Sequence, residues 1–105
     1  WRYPAMIFRM TNAAENRPEG ERRLAETFGA RLARLREEAG LDATELGRRA
    51  GMTQAYVWRL ENGRALPSLR NLARFALALE CPLPSLLEDV DYQGIELDSR
   101  QYRRG

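Results

Sequence analysis

The 105-residue sequence contains no histidine, no lysine and a single cysteine, Cys81. Without histidine the chain lacks the commonest general base, the base of Ser-His and Cys-His nucleophilic systems, and a ligand of most zinc sites. One cysteine excludes an intrachain disulfide and a cysteine metal cluster, and it fits a reducing cytosol. A carboxylate-only enzyme has no paired-carboxylate pattern or glycine-rich phosphate loop to support it, so no enzyme, metal or cofactor is expected.

Long hydrophobic runs are also missing. No run approaches the roughly 18 apolar residues that suggest a membrane span. The opening segment WRYPAMIF lacks the cleavage pattern of a signal peptide and is interpreted as a loose extension. The hydrophobic fraction of 44% is ordinary for a soluble globular protein. These features predict one small cytoplasmic domain with tails and no membrane partner.

Charge is distributed unevenly, although the net charge is only +2. Between positions 48 and 74 there are six arginines and one acidic residue, Glu61: Arg48, Arg49, Arg59, Arg64, Arg70 and Arg74. From Phe75 to Ser99 there is no arginine and there are six acids: Glu80, Glu88, Asp89, Asp91, Glu96 and Asp98. A basic segment of this kind is typical of a phosphate-binding surface. The alternative is an ordinary solvated surface, because arginine is also a good helix former.

Apolar residues recur at spacings of three and four along most of the chain, which is the periodicity of amphipathic helices. Capping residues, glycines and prolines indicate where the helices begin and end. Together these signals predict five helices, which begin near Glu21, Asp42, Thr53, Ser68 and Pro84. Glu45 also predicts a reciprocal capping box with Asp42. Since no strand-like alternation interrupts the pattern, the predicted fold class is an all-α, five-helix bundle.

Three segments follow from this pattern: a flexible N-terminal extension (1–20), a helical domain (21–87) and a C-terminal tail (88–105). The tail is acidic and then Arg-rich. Weak alternation around Ile95 and Leu97 leaves open disorder, an edge strand in a dimer, or a strap over the core. Mostly irregular structure is the favoured interpretation.

The segment from Asp42 to Asn62 meets the physical requirements of a helix-turn-helix. Gly47 permits close helix approach and Gly51 permits the sharp turn. Helical geometry turns one side of the third helix outward, with these residues on it: Gln54, Ala55, Trp58, Arg59 and Asn62.

The ordered motifs LR-x-x-x-G-L, E-L, G-M-T-Q, L-E-N-G and P-S-L lie between Phe28 and Leu87. This combination resembles the phage-repressor and Cro-type helix-turn-helix family, also called the xenobiotic-response-element family. The resemblance covers most of the chain outside the two tails. It implies a repressor-like bundle whose third helix, Thr53–Asn62, enters the DNA major groove while the second crosses the backbone. It also implies a transcriptional regulator of double-stranded DNA, a repressor that binds a palindromic operator as a homodimer.

Base reading is assigned to four residues of the third helix. Gln54 matches the base-reading glutamine of the family, and its amide can bond adenine. Arg59 occupies a frequent second reading position and suits guanine, while Ala55 could touch a thymine methyl group. Trp58 departs from the family, which commonly has a small or polar residue there. Its ring either contacts DNA or packs sideways onto Tyr56.

Contacts to the DNA backbone are assigned to seven residues: Thr44, Arg48, Tyr56, Asn62, Gly63, Arg64 and Ser68. Asn62 and the Gly63 amide match the phosphate clamp of the family, and Ser68 starts a helix whose N–H groups could face phosphate. Ala43 replaces a glutamine that often touches phosphate, and Thr44 or Arg48 could partly substitute for it. Tyr56 either places its hydroxyl near the backbone or only packs.

Glu61 is expected to pair internally with Arg36, because the family has such an ion pair at the matching positions. The alternative is a DNA-facing carboxylate, which would repel phosphate unless it met a cytosine amine.

Two further functions remain open at this point. One is an antitoxin-type autorepressor whose acidic tail contacts a toxin. The other is a protein-interaction module that keeps the helix-turn-helix shape without strong DNA binding, supported by the modest net charge and by Ala43.

Overall fold

A computed structural model describes residues 18–97, which contain four α-helices and one 3-10 helix. These are α1 (Glu19–Glu38), α2 (Ala43–Ala50), α3 (Gln54–Glu61), α4 (Leu69–Leu79) and the 3-10 helix (Leu83–Leu87). No strand occurs within this range, so the all-α class is confirmed. None of its helices is long and apolar enough to span a membrane.

The predicted count of five α-helices is wrong, because the fifth element is a five-residue 3-10 helix. The turn closes with a hydrogen bond from the Ser85 N–H to the Pro82 oxygen three residues earlier, at 3.0 Å, which is the 3-10 pattern that proteins use in short segments of this kind. The start of α1 also differs. It begins at Glu19, so Glu19 and Gly20 belong to the helix instead of the flexible extension. The rest of that extension, and the tail beyond position 97, lie outside the described residues.

Three predicted caps set the starts of α2, α3 and α4. The side chains of Asp42, Thr53 and Ser68 accept hydrogen bonds from the backbone N–H three residues on, at 2.8, 3.1 and 3.1 Å. The reciprocal half of the capping box does not form. Glu45 accepts hydrogen bonds from Arg48 and Arg49, because charge-assisted bonds to guanidinium groups are stronger than one to a neutral amide.

All four α-helices end with the same hydrogen bond, from a backbone N–H to the carbonyl five residues earlier. In α2 it joins Met52 N to Gly47 O at 2.7 Å, across the left-handed residue Gly51. In α4 the left-handed position is held by Glu80, with φ of 54°. An L-residue with a side chain is strained there, so α4 ends at a cost that the other helices avoid.

The core lies where the four α-helices and the 3-10 helix meet. Its largest fully buried side chains come from all five elements: Leu32, Leu46, Val57, Leu60, Phe75 and Leu86. Helix α1 packs against α3, α3 against α2, and α2 against α4. The 3-10 helix closes the core against α1 and α4.

Helices α1 and α3 approach so closely at Gly29 that their backbones are in contact. A Cβ atom there would overlap the Leu60 carbonyl oxygen and would lie 2.7 Å from the Glu61 oxygen. Gly47 has a similar role in the turn after α2, where a Cβ would lie 2.7 Å from the Met52 oxygen. The orientation of α3 therefore depends on two residues without side chains.

Residues 88–97, here called the C-terminal strap, have no regular secondary structure and lie along α1. Arg23 donates to Asp91 at 2.8 Å, and the Asp91 N–H donates to Thr27 at 2.9 Å. Arg31 donates to the Glu88 carboxylate at 2.7 Å. The irregular structure predicted for the tail is thus observed in this part. These residues form a strap along α1; they are neither a strand nor disordered.

Candidate nucleic-acid interface

The exposed side of α3 brings the four predicted base-reading residues together. Val57 and Leu60 are fully buried and fix the opposite side of α3 in the core. Outward-facing side chains then line one shallow, open depression: Gln54, Ala55, Trp58 and Arg59. The depression holds amide, methyl, indole and guanidinium groups, which together can bond base edges and contact apolar methyl groups.

Trp58 is 53% exposed, so its indole is not part of the core. The guanidinium carbon of Arg64 lies 5.9 Å from the centre of its ring, within the range of a cation–π contact. Arg64 is therefore held beside the depression by an aromatic face. Its positive charge and the indole form one continuous surface at the end of α3.

Positive charge is spread unequally over the helices that flank α3. Arg48 and Arg49 both donate to Glu45, at 2.6 and 2.9 Å. The hydrogen bonds from Arg48 and then Arg49 lower the pKa of Glu45 to about 2. In the sequence, Glu61 is the only acidic residue among the six arginines, but Glu45, just before them, forms ion pairs with two of them. The separations of three and four residues between Glu45 and these arginines predict such pairs on a helix.

The arginines on α3, after α3 and on α4 are not neutralised in this way. No ion pair within residues 18–97 involves the other exposed arginines of the basic segment: Arg59, Arg64, Arg70 and Arg74. The amino end of α4 is tied to α3 by a hydrogen bond from Asn71 to the Tyr56 hydroxyl at 2.9 Å. The uncompensated positive charge therefore flanks the depression on the α4 side.

The predicted backbone contacts at the end of α3 are only partly available. The buried Gly63 uses its N–H to bond the Leu60 oxygen at 3.1 Å, so this amide is not presented to a phosphate. Gly63 therefore has a structural role, because this hydrogen bond closes the carboxyl end of α3. Asn62 remains exposed and bonds the Trp58 oxygen at 2.9 Å, which leaves its second amide hydrogen available.

The other predicted backbone contacts lie on α2, α3 and α4. Thr44 and Arg48 are exposed one turn apart on α2. Ser68 is exposed, and the first N–H groups of α4 that follow it have no partner inside the helix. Tyr56 is half-buried, and because its oxygen accepts from Asn71, its hydroxyl hydrogen is still available to another acceptor.

Arg36 and Glu61 form a two-bond ion pair. Arg36 Nε and Nη2 donate to the two Glu61 oxygens at 2.7 and 3.0 Å, and Nη1 donates to the Leu41 oxygen at 2.9 Å. The side chains are only 16% and 11% exposed. The hydrogen bond to Glu61 is the main cause of the raised pKa of Arg36. This pair joins the end of α1 to the end of α3, so the Glu61 carboxylate fixes the position of α3 and is used inside the domain.

Within the described residues, no group of three or more Asp, Glu or Cys side chains is placed to hold a metal ion. What the surface offers is a polar and aromatic depression, flanking guanidinium groups and a helix amino end. These groups suit a polyanion whose bases are accessible from one side.

Two short helices joined by a tight turn, the second with an exposed polar side, define a helix-turn-helix domain. The family model described as "Helix-turn-helix domain" matches residues 27–89. The chain belongs to this family, and its relatives support the Cro-type branch that the sequence motifs indicate.

Three relatives illustrate the match. The "ImmF control region 10 kDa protein" of Bacillus phage phi105 is 35% identical over 69 residues, which are 66% of this chain and 76% of the phage protein. The HTH-type transcriptional repressor RghR of Bacillus subtilis (strain 168) is 35% identical over 68 residues, 64% of this chain and 50% of RghR. The crystal structure of the restriction-modification controller protein C.AhdI from Aeromonas hydrophila has a TM-score of 0.57 and 35% identity, covering 60% of this chain and 94% of that one.

The match thus spans half the length of RghR. The family and these names place the chain among DNA-binding transcriptional regulators and not among enzymes.

Proposed function

We propose that this protein is a sequence-specific repressor that binds a palindromic operator in double-stranded DNA as a homodimer. Helix α3 enters the major groove and its depression faces the base edges. The observation that carries this proposal is the joint exposure of the four base-reading candidates on α3, flanked by arginines without ion-pair partners in residues 18–97.

Base recognition rests on the two polar residues of the depression. Arg59 is exposed and its guanidinium fork suits the O6 and N7 atoms of guanine. Gln54, the first residue of α3, suits adenine N6 and N7. Trp58 and Ala55 supply apolar surface for a thymine methyl group. The proposed reading is therefore a short mixed sequence in each half-site.

Backbone contacts orient α3 in the groove. The proposed backbone contacts come from three elements, all exposed: Thr44 and Arg48 on α2, Asn62 and Arg64 after α3, and Ser68 at the amino end of α4. Phosphate contacts of this kind fix register and orientation and are independent of sequence. Tyr56 adds its hydroxyl hydrogen from between α3 and α4.

Dimerisation is proposed through the surface formed by the 3-10 helix, the end of α4 and the C-terminal strap. Each of these three elements exposes large apolar side chains: Leu77 on α4, Leu87 on the 3-10 helix, and Tyr92 and Leu97 on the strap. A symmetric contact would present two α3 helices about 34 Å apart, one turn of DNA. Glu88 and Asp91 already pair with α1, which weakens the toxin-binding alternative for this part of the tail.

Selection from a random duplex library at about 0.15 M salt tests the proposal, because nonspecific phosphate binding is weak there. We expect an enriched palindrome. Folded protein that enriches no sequence would refute base recognition and favour the protein-interaction module. If the enriched site is asymmetric and sedimentation shows that a monomer binds it, only the dimer part of the proposal is refuted.

Arg59→Ala then tests the assigned base reader. It should cost roughly 1–3 kcal/mol at the selected site and relax the preference at one position. Arg34→Ala is the matched control, since Arg34 is an exposed arginine on α1 paired with Glu38. An equal loss on all duplexes would make Arg59 a phosphate contact.

A further inference from the structure

One carboxylate on α2 is shared by two arginines. Arg48 donates to Glu45 through Nε and Nη2, at 3.1 and 2.6 Å, and Arg49 donates through Nε at 2.9 Å. Glu45 and Arg48 lie on the outer side of α2, away from the buried residues Leu46 and Ala50. In the proposed complex α2 crosses the DNA backbone, and this would bring the exposed cluster near phosphates.

This arrangement changes the charge of the α2 surface. Two guanidinium groups and one carboxylate leave a local charge of +1, where the arginines alone would give +2. The same hydrogen bonds lower the pKa of Glu45 to about 2, so the carboxylate keeps its charge in acidic as well as neutral solution. The α3 and α4 arginines of the interface keep their full charge within the described chain. Among the arginines of the basic segment, compensation by Glu45 is thus confined to α2, which would contact phosphates and not bases.

We propose that Glu45 determines specificity by fixing Arg48 and Arg49 in position and limiting the attraction of α2 for duplexes that lack the operator. This inference rests on the proposed DNA-binding function. Nonspecific binding comes almost entirely from phosphate neutralisation, so a carboxylate at the backbone weakens it directly. In the operator complex the ordered guanidinium groups recover part of that loss, because less side-chain freedom is lost on binding.

The test compares Glu45→Gln with Glu38→Gln in the full chain. Glu38→Gln removes the same charge from an exposed pair, Arg34–Glu38, whose atoms are 3.1 Å apart. Glu38 is a suitable control because it lies nine residues, or two and a half turns, from Gly29, on the side of α1 away from α3. Affinity is measured for the selected duplex and for a scrambled duplex of equal length, between about 0.05 and 0.3 M salt.

For Glu45→Gln we expect scrambled-duplex affinity to rise about three- to tenfold at 0.15 M salt, with a salt slope steeper by about one. Affinity for the selected duplex should rise less, so the ratio between the two duplexes falls. Glu38→Gln should change each affinity by less than about twofold, because exposed charges remote from the interface are screened. Melting curves of both variants show whether a change in folding contributes.

Glu45→Asp separates charge from geometry. It keeps the carboxylate on a shorter side chain, so scrambled-duplex affinity should stay close to that of the original protein. If it rises as in Glu45→Gln, charge is not the cause and the inference fails. The inference also fails if Glu45→Gln leaves the scrambled affinity and salt slope unchanged, or raises both affinities equally. By contrast, an original protein without any preference for the selected duplex would refute the proposed function itself.

Discussion

Replacing Glu61 by glutamine should destabilise the fold without removing a DNA contact. The substitution keeps the size of the side chain but leaves the guanidinium of Arg36 without a counter-charge at a site that is only 11–16% exposed. Two charge-assisted hydrogen bonds are affected, and the glutamine oxygen can still accept one.

The expected loss follows from these contacts. Removing one partner of a fully buried pair costs about 3–5 kcal/mol. Residual water access and the remaining hydrogen bond reduce this to roughly 2 kcal/mol in the free energy of unfolding. For a domain of this size, each kcal/mol lowers the melting temperature by about 4–8 °C. We therefore expect a fall of roughly 8–16 °C for Glu61→Gln.

Thermal unfolding followed by circular dichroism measures the effect, with Glu38→Gln as the control. The Arg34–Glu38 pair is 71% and 57% exposed, so its loss should cost less than about 0.5 kcal/mol. Equal melting temperatures for the two variants would refute the structural role of Glu61. So would a Glu61→Gln protein that melts normally but loses its preference for one base position, since that result would place Glu61 against the DNA.

Three other predictions concern the helix crossing, the end of α4 and the strap. Gly29→Ala should lower the free energy of unfolding by about 1–3 kcal/mol in urea titration, because the new methyl group meets α3 backbone atoms that cannot rotate away; a loss below about 0.5 kcal/mol would contradict the close crossing. Glu80→Gly should raise the free energy of unfolding by about 0.5–1 kcal/mol, because glycine adopts the left-handed conformation without strain; a lower urea midpoint would refute that account. The hydrogen bond from Arg23 lowers the pKa of Asp91 in the folded state, so its stabilisation is present above the unfolded value of about 3.9 and is lost as pH falls through the folded value. Asp91→Asn should flatten the acid dependence of the urea midpoint as the pH falls below about 4, whereas an unchanged dependence would show that the strap contact contributes nothing.

Several features of the site could be predicted because they depend on residues close together in the chain. The caps at Asp42, Thr53 and Ser68 act over three residues, and the exposed side of α3 follows from helical periodicity. The Arg36–Glu61 contact spans 25 residues, and it was accessible only through the family resemblance.

Other predictions failed where a neighbouring group competes for the same atom. Gly63 was assigned to a phosphate, but its N–H closes the end of α3. Glu45 was assigned to a capping box, yet two guanidinium groups bind its carboxylate. For Glu45, spacing suggested the capping partner, but the stronger charge-assisted hydrogen bonds from the two guanidinium groups decided the outcome. The fifth helix is a separate case, a five-residue 3-10 helix that follows Pro82 and contains Pro84.

By itself, the sequence determined the helical class, the starts of α2, α3 and α4, and the polar side of α3, since these depend on interactions within a few residues. Only the tertiary structure decided the crossing of α1 over α3 at Gly29 and the position of the strap. The strap contact joins Arg23 to Asp91, which are 68 residues apart. Such contacts form only after the core has brought distant segments together, because their loop-closure entropy must first be offset by burial.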